Sequence, residues 1–254
     1  MTKRQRYDLI FSIGGACSCT SGLRDAGLQR ASFPMDWLFG SDLSGRVDII
    51  CNKFDRFIDL ADLEYVFSER SIKCDAYHNK FNDLTFNHDF PTGVALEKSY
   101  TLVADKYKRR ISRLLGAIEA AHRVCAVYLS VPGSNLNVSD SELTQCLTRL
   151  RIAFPNCEFD LLYVHCAPDM ARGAIYEKLV SPGVRYLCAN YSNSDVTKPS
   201  YAVCEKTVRK IFAQHLKLNL PLHTILKLYA LKLVVKFAPS HKLRVRLRKK
   251  WHLK

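Results

Sequence analysis

The stretch from Tyr7 to Trp37, YDLIFSIGGACSCTSGLRDAGLQRASFPMDW, decides the fold. Its first seven residues are aromatic, aliphatic or β-branched with Asp8 as the charged interruption, and they read as a strand entering a core. Gly14-Gly15 breaks that run. Leu23, Ala26 and Leu28 then suggest a helix, with Ser18, Thr20 or Ser21 as its N-cap. The order is strand, glycine turn, cysteine, helix. It places Cys17 at the carboxyl end of a strand and at the positive end of a helix. Open α/β sheets bind ligands at that edge, and a helix N-terminus lowers a thiol's pKa. Cys17 is therefore the candidate nucleophile, against the alternative of a buried structural thiol. Nothing singles out Cys19. Gly14 and Gly15 offer a second reading, in which their N–H groups cradle a phosphate, but the pattern is neither a dinucleotide fingerprint nor a Walker loop.

Working outward, Asp42–Phe54 reads as a helix with Leu43, Val47, Ile50 and Phe54 on one face. Cys74–His78 and Leu84–Asn87 read as short strands, and His88-Asp89-Phe90-Pro91 as a loop, because Pro91 biases Phe90 away from helix. Glu97–His122 has the strongest helical periodicity. RVCAVYLSV (Arg123–Val131) and FDLLYVHC (Phe159–Cys166) are continuous apolar runs of the kind found in strands buried on both faces. Ser139 with Glu142 forms a capping box that opens a helix to Phe154. Asp169–Leu179 is expected as helix, Val184–Cys188 as strand and Ser200–Leu218 as helix. Strands at 7, 123, 159 and 184 alternating with helices predict an α/β fold. It would be a three-layer, mostly parallel sheet with helices on both faces and a small α+β cap inserted at about 57–91.

The net charge of +14 is unevenly spread. Residues 206–254 carry fourteen Lys and Arg and no Asp or Glu, which accounts for the whole excess and leaves residues 1–205 neutral. We therefore expect a catalytic-like domain over 1–205 and a basic, amphipathic module over 206–254. Pro221–Phe237 is apolar nearly all round, and HKLRVRLRKKWHLK follows it. A helix followed by Arg244, Arg246, Arg248, Lys249, Lys250 and Trp251 has the apolar surface and cationic groups of an anchor on an anionic membrane. Nucleic acid fits less well, since no aromatic platform is interleaved with the basic residues. The alternative is a docked helix with a solvated tail.

The ten cysteines show no C-x-x-C pair and no regular spacing with histidine, so neither a metal site nor a disulfide framework is expected, and a reducing compartment is. The apolar run after MTKRQR is too short, and Asp8 interrupts it, so it is not expected to be a secretory leader.

The residues FSIGGAC, GLRDAGLQRASFPMDWLF, FNHDFP and KYKRRISRLL together resemble a bacterial family of unknown function named for papain-like cysteine peptidases. The resemblance covers roughly residues 7 to 190 and marks Cys17, Arg24, Pro34, Asp36, Trp37, His88 and Asp89 as family positions, with His165 as a further one. It implies a cysteine-dependent hydrolase or acyltransferase. Members of the family occur among surface-polysaccharide genes, and the basic tail is similar to those closing many glycosyltransferases of that setting. A glycan or lipid-linked glycan would then be the substrate, met at the cytoplasmic face of the inner membrane. No cofactor is required, with a coenzyme A thioester as a possible acyl donor. The strand-first order departs from a papain fold.

For that chemistry the nucleophile needs a base and an oxyanion site. His88 is the base candidate, with Asp89 or Asp36 to orient its ring, and His165 is the alternative. Backbone N–H groups of Gly15–Ser18 would hold the oxyanion. Gly14, Gly15, Ser18, Arg24, Asp36 and Trp37 are candidate substrate contacts. Pairing of Arg24 with Asp36 to hold the PMDW loop is the structural alternative, and core packing is the one for Trp37. Two other functions compete: a glycosyl- or phospho-sugar transferase using the glycine turn, and a non-catalytic membrane-bound assembly factor.

Overall fold

The computed structural model describes residues 5–69, 72–134, 138–195, 197–199 and 202–220, with scattered positions between 226 and 243. In chain order the elements are β1 (Gln5–Tyr7), β2 (Leu9–Ser12), α1 (Cys17–Asp25), a 3-10 turn (Pro34–Trp37), β3 (Leu38–Gly40), α2 (Leu43–Cys51), β4 (Leu63–Glu69), β5 (Cys74–Asn79), β6 (Leu84–Pro91) and α3 (Leu96–Glu119). They continue as β7 (Arg123–Leu129), α4 (Asp140–Ala153), β8 (Glu158–Cys166), β9 (Ile175–Ser181), β10 (Val184–Ala189), α5 (Glu205–His215) and β11 (Leu216–Leu218). The fold is α/β with mixed sheets.

The main sheet has the order β2-β7-β8-β10-β9, parallel throughout except for β9 against β10. Its strands alternate between two cores, as the period of two requires. Phe11, Ala126, Tyr128, Leu161 and Tyr163 lie in one apolar cluster with Leu43, Val47 and Ile50 of α2, Tyr107 of α3 and Leu147 of α4. Ile10, Val127, Leu129, Leu162 and Val164 lie in the other, with Leu23 of α1 and Val208, Ile211 and Phe212 of α5. A second, antiparallel sheet β3-β6-β5-β4 holds the inserted segment, and its Leu84, Phe86 and Phe90 belong to the first cluster.

Several expectations change. Residues 175–181 form a strand, not a helix. The two-residue turn Pro182-Gly183, with Gly183 at φ +92°, makes β9 and β10 a hairpin, and that dipeptide is the signal the helical reading passed over. Residues 88–91 are not a loop but the end of β6. Phe90 pairs with Asp75 and Phe86 with Tyr77, so Asn87, His88 and Asp89 bulge opposite Ala76. The helix expected over 200–218 is shorter and gives way to β11, which pairs in parallel with β1. The basic segment thus begins inside the folded body. The membrane-binding positions Arg244, Arg246, Arg248, Lys249, Lys250 and Trp251, and most of 221–237, lie outside the described residues. No helix among the described residues is long and apolar enough to cross a membrane.

Candidate active site

Cys17 is the first residue of α1. The helix starts earlier than its hydroxyl residues suggest: the N-cap is Ala16, which has no capping side chain. The first N–H groups of the helix are therefore left to other acceptors. Those of Cys17 and Ser18 hydrogen-bond the Cys17 sulfur and favour its thiolate, but burial outweighs them and pushes the thiol above its ordinary value. The expected lowering by the helix terminus is thus reversed in the free protein. Cys19 is inert by comparison. It is fully buried, its thiol faces the Val127 carbonyl at 3.4 Å, and burial pushes it up to about 12. Cys204 is pulled downward, by a hydrogen bond from Thr207 Oγ1 at 3.3 Å and by backbone N–H groups where α5 begins. All ten cysteines are free.

The glycines serve a steric purpose. A Cβ on Gly14 would lie 2.4 Å from Cys19 Cβ, and one on Gly15 would lie 3.1 Å from the Tyr128 hydroxyl. Their N–H groups are committed, Gly14's to Ser12 Oγ at 3.2 Å and Gly15's to the Leu129 carbonyl at 3.3 Å. A phosphate cradle at this turn, and Gly15 as an oxyanion donor, are both ruled out by that pairing.

Half-buried Cys17 opens on a cleft of about 300 Å³ between the first turns of α1 and α5. Ala16, Ser18, Ser21 and Gly22 line one side. Ala202, Val203, Glu205 and Val208 line the other, with Phe39, Asn193 and Lys198 completing it. The far wall escaped sequence reasoning because it comes from distant chain. Gly22 was its one signal, a glycine inside a helix, where a Cβ would come within 2.4 Å of Val208. A larger depression, about 690 Å³, lies against α2 and is lined by Asp42, Asp48, Asp55 and Asp83, but no predicted site residue reaches it.

Neither histidine lines the Cys17 cleft. His165 stacks on Tyr186 at 6.2 Å, at the end of a row formed with Tyr163 and Tyr128 across β10, β8 and β7, and burial pushes its pKa down. That row packs with α2 and α4, on the face of the sheet opposite α1 and α5. His88 is exposed in the β6 bulge, edge-on to Trp37 at 6.3 Å. Asp89 does not orient it: Asp89 is ion-paired to Lys106 and accepts from the Tyr107 hydroxyl at 2.7 Å.

Of the other positions the resemblance marks, Arg24 lies seven residues and about 10 Å of helix rise from Cys17, and the Pro34–Trp37 turn packs along α1 from Arg24 back to Thr20. Asp36 is fully buried there and accepts from Thr20 Oγ1 (3.2 Å), Gln29 Nε2 (2.8 and 2.9 Å), the Phe33 N–H (2.9 Å) and Arg24 Nη2 (3.3 Å). The pairing of Arg24 with Asp36 does hold the PMDW turn, and the same guanidinium sits 5.4 Å over the Trp37 ring. Arg46 is another residue that sequence reasoning missed. It is fully buried on α2 and donates to the carbonyls of Leu38, Gly40 and Ser41. It occupies the same stripe as Leu43, Val47 and Ile50, which was its legible sign. No group of three or more His, Cys, Asp or Glu among the described residues is arranged to hold a metal.

Residues 8–153 match the family model described as "Putative papain-like cysteine peptidase", a domain of unknown function. The chain is also 28% identical over 133 residues to R408, an uncharacterized protein of Acanthamoeba polyphaga mimivirus; the match covers 46% of this chain and 59% of that protein. No solved structure matches the chain.

Proposed function

The chain belongs to that papain-like cysteine peptidase family, and we propose that it is a cysteine-dependent hydrolase acting by acyl transfer from the Cys17 cleft. One observation carries the reading: the Cys17 sulfur, at an N-terminus no side chain caps, faces a cleft large enough for a small acyl or peptidyl group. In this mechanism the thiolate attacks a carbonyl carbon and the Cys17 and Ser18 N–H groups hold the developing oxyanion. The bond from the carbonyl carbon to the leaving group breaks, the leaving group takes its proton from solvent water, and a second water then hydrolyses the thioester to release the acid and the Cys17 thiol. With no imidazole lining the cleft, ionisation of Cys17 itself sets the rate.

An envelope glycan or its lipid-linked precursor is the substrate class we carry forward from the resemblance, with the basic chain that follows β11 holding the protein to an anionic membrane surface. Exposed Leu226, Val234 and Phe237 within the basic segment support that attachment.

The test is acylation by p-nitrophenyl acetate followed by mass spectrometry of the adduct. The expected result is a stoichiometric burst with the acetyl group on Cys17, absent in Cys17→Ser. Because Cys204 is the thiol pulled downward, the reaction is repeated in Cys204→Ser. A burst that vanishes there and survives in Cys17→Ser would overturn the assignment.

A further inference from the structure

We propose a second site, at the far end of α1, where Trp37, His88 and the cations around them bind a phosphate group. Three chain segments converge there. Arg24 Nη2 donates to Ser32 Oγ at 2.7 Å, and Arg113 Nη1, from α3, donates to the Ser32 carbonyl at 2.8 Å, so one residue holds two guanidinium groups. Arg110 lies 5.2 Å over the Tyr107 ring, and Tyr107 is within electrostatic reach of Asp89, Arg110 and Asp36. With Lys106 that makes four cations against two carboxylates, and each carboxylate is buried and already fully engaged by donors of the fold.

The hydrogen bonding here is incomplete. Of seven buried side-chain polar atoms without a partner among the described residues, three are in this neighbourhood: Arg24 Nε, Arg110 Nη1 and Asn87 Oδ1. Asn87 follows Phe86, the register partner of Leu38, and so lies beside Trp37. Buried guanidinium N–H groups without an acceptor call for a ligand or water that supplies one. A phosphate monoester offers several acceptor oxygens to the arginines and, when singly protonated, a hydroxyl to Asn87. Sulfate offers only acceptors. The exposed His88 ring stands at the rim, where its charged form would add to the binding.

The site is independent of the Cys17 reading. The test uses the full chain in a Trp251→Phe background, so that fluorescence reports Trp37 alone. It is titrated with inorganic phosphate against sulfate and chloride at matched ionic strength, and the chain with Trp251 in place is tested separately by co-sedimentation with phosphatidic acid vesicles. We expect a saturable change with phosphate, stronger than with sulfate. Arg110→Gln should weaken phosphate binding about tenfold, the worth of one charge-assisted hydrogen bond. Weakening with the soluble ion assigns a free phosphate monoester, and weakening with vesicles alone assigns a lipid headgroup. No Arg110-dependent change with either overturns the site.

Discussion

The two ends of α1 are built in opposite ways. At its start a single thiol faces an open cleft, with no side-chain cap and only backbone N–H groups as its hydrogen-bond partners. At its end every oxygen of Asp36 is taken and cations are stacked on rings, while Arg24 Nε, Arg110 Nη1 and Asn87 Oδ1 stay without a partner. The residues expected to share one site divide along the helix: Cys17 stands at its start, while Arg24, Asp36 and Trp37 cluster together with His88 packed on Trp37. A motif read along the sequence as one catalytic constellation is therefore two structures sharing a helix. The contrast teaches that density of polar contacts marks the scaffold here, while the reactive group sits where contacts are fewest.

That contrast can be broken most severely at Asp36. Asp36→Ala strands Arg24, Gln29, Thr20 and the Phe33 N–H, and should cost about 3–5 kcal/mol of unfolding free energy in urea titration. Next is Gly14→Ala. Its new Cβ has no room beside Cys19, and the loss should be roughly 1–3 kcal/mol, with Cys17 alkylation disturbed as the turn shifts. Arg46→Lys keeps the charge but cannot fork to three carbonyls, and a loss of about 1–2 kcal/mol is expected by the same assay. The smallest stability effect belongs to Cys17→Ser, within about 0.5 kcal/mol, although it removes the acyl adduct altogether.

A pH profile sharpens the same comparison. Burial raises the Cys17 thiol in the folded protein, so the thiolate fraction at neutral pH lies below that of a free cysteine. The acylation rate should climb through the ordinary thiol range and beyond it, in a single ascending limb. The sign for stability is the opposite. A raised folded-state value stabilises the protonated form, and that contribution is present below the unfolded thiol value and lost as pH rises through the folded one. A second limb near neutral pH would mean that His88 or His165 reaches the cleft after all, and would remove the contrast.

Much of the sheet was legible because its strands are unbroken apolar runs bounded by turns: Arg123–Leu129 and Glu158–Cys166 could be placed within a residue or two. The capping box at Ser139 and Glu142 likewise marked a real helix start, with the Glu142 N–H 3.2 Å from Ser139 Oγ. Cys17 was legible from its place between a strand and a helix. The partners of His88 were not, because a bulge in β6 sets aside the alternation by which neighbours on a strand are assigned to faces. The far wall of the cleft was illegible for a different reason. Nothing local in Asn193, Lys198 or Glu205 shows that the distant pairing of β1 with β11, and the close approach allowed by Gly22, set α5 beside α1.

That pairing of β1 with β11 works as a clasp. Gln5 lies against Leu216 and Tyr7 against Leu218, so the helix completing the reactive pocket is fastened by the strand that opens the described fold. A fragment trimmed to the family-matching segment, residues 8–153, would keep the sulfur and lose both halves of the fastening, leaving a reactive atom on a bare slope. Relatives could then share one chemistry while choosing their substrates through whatever chain they bring back to that edge.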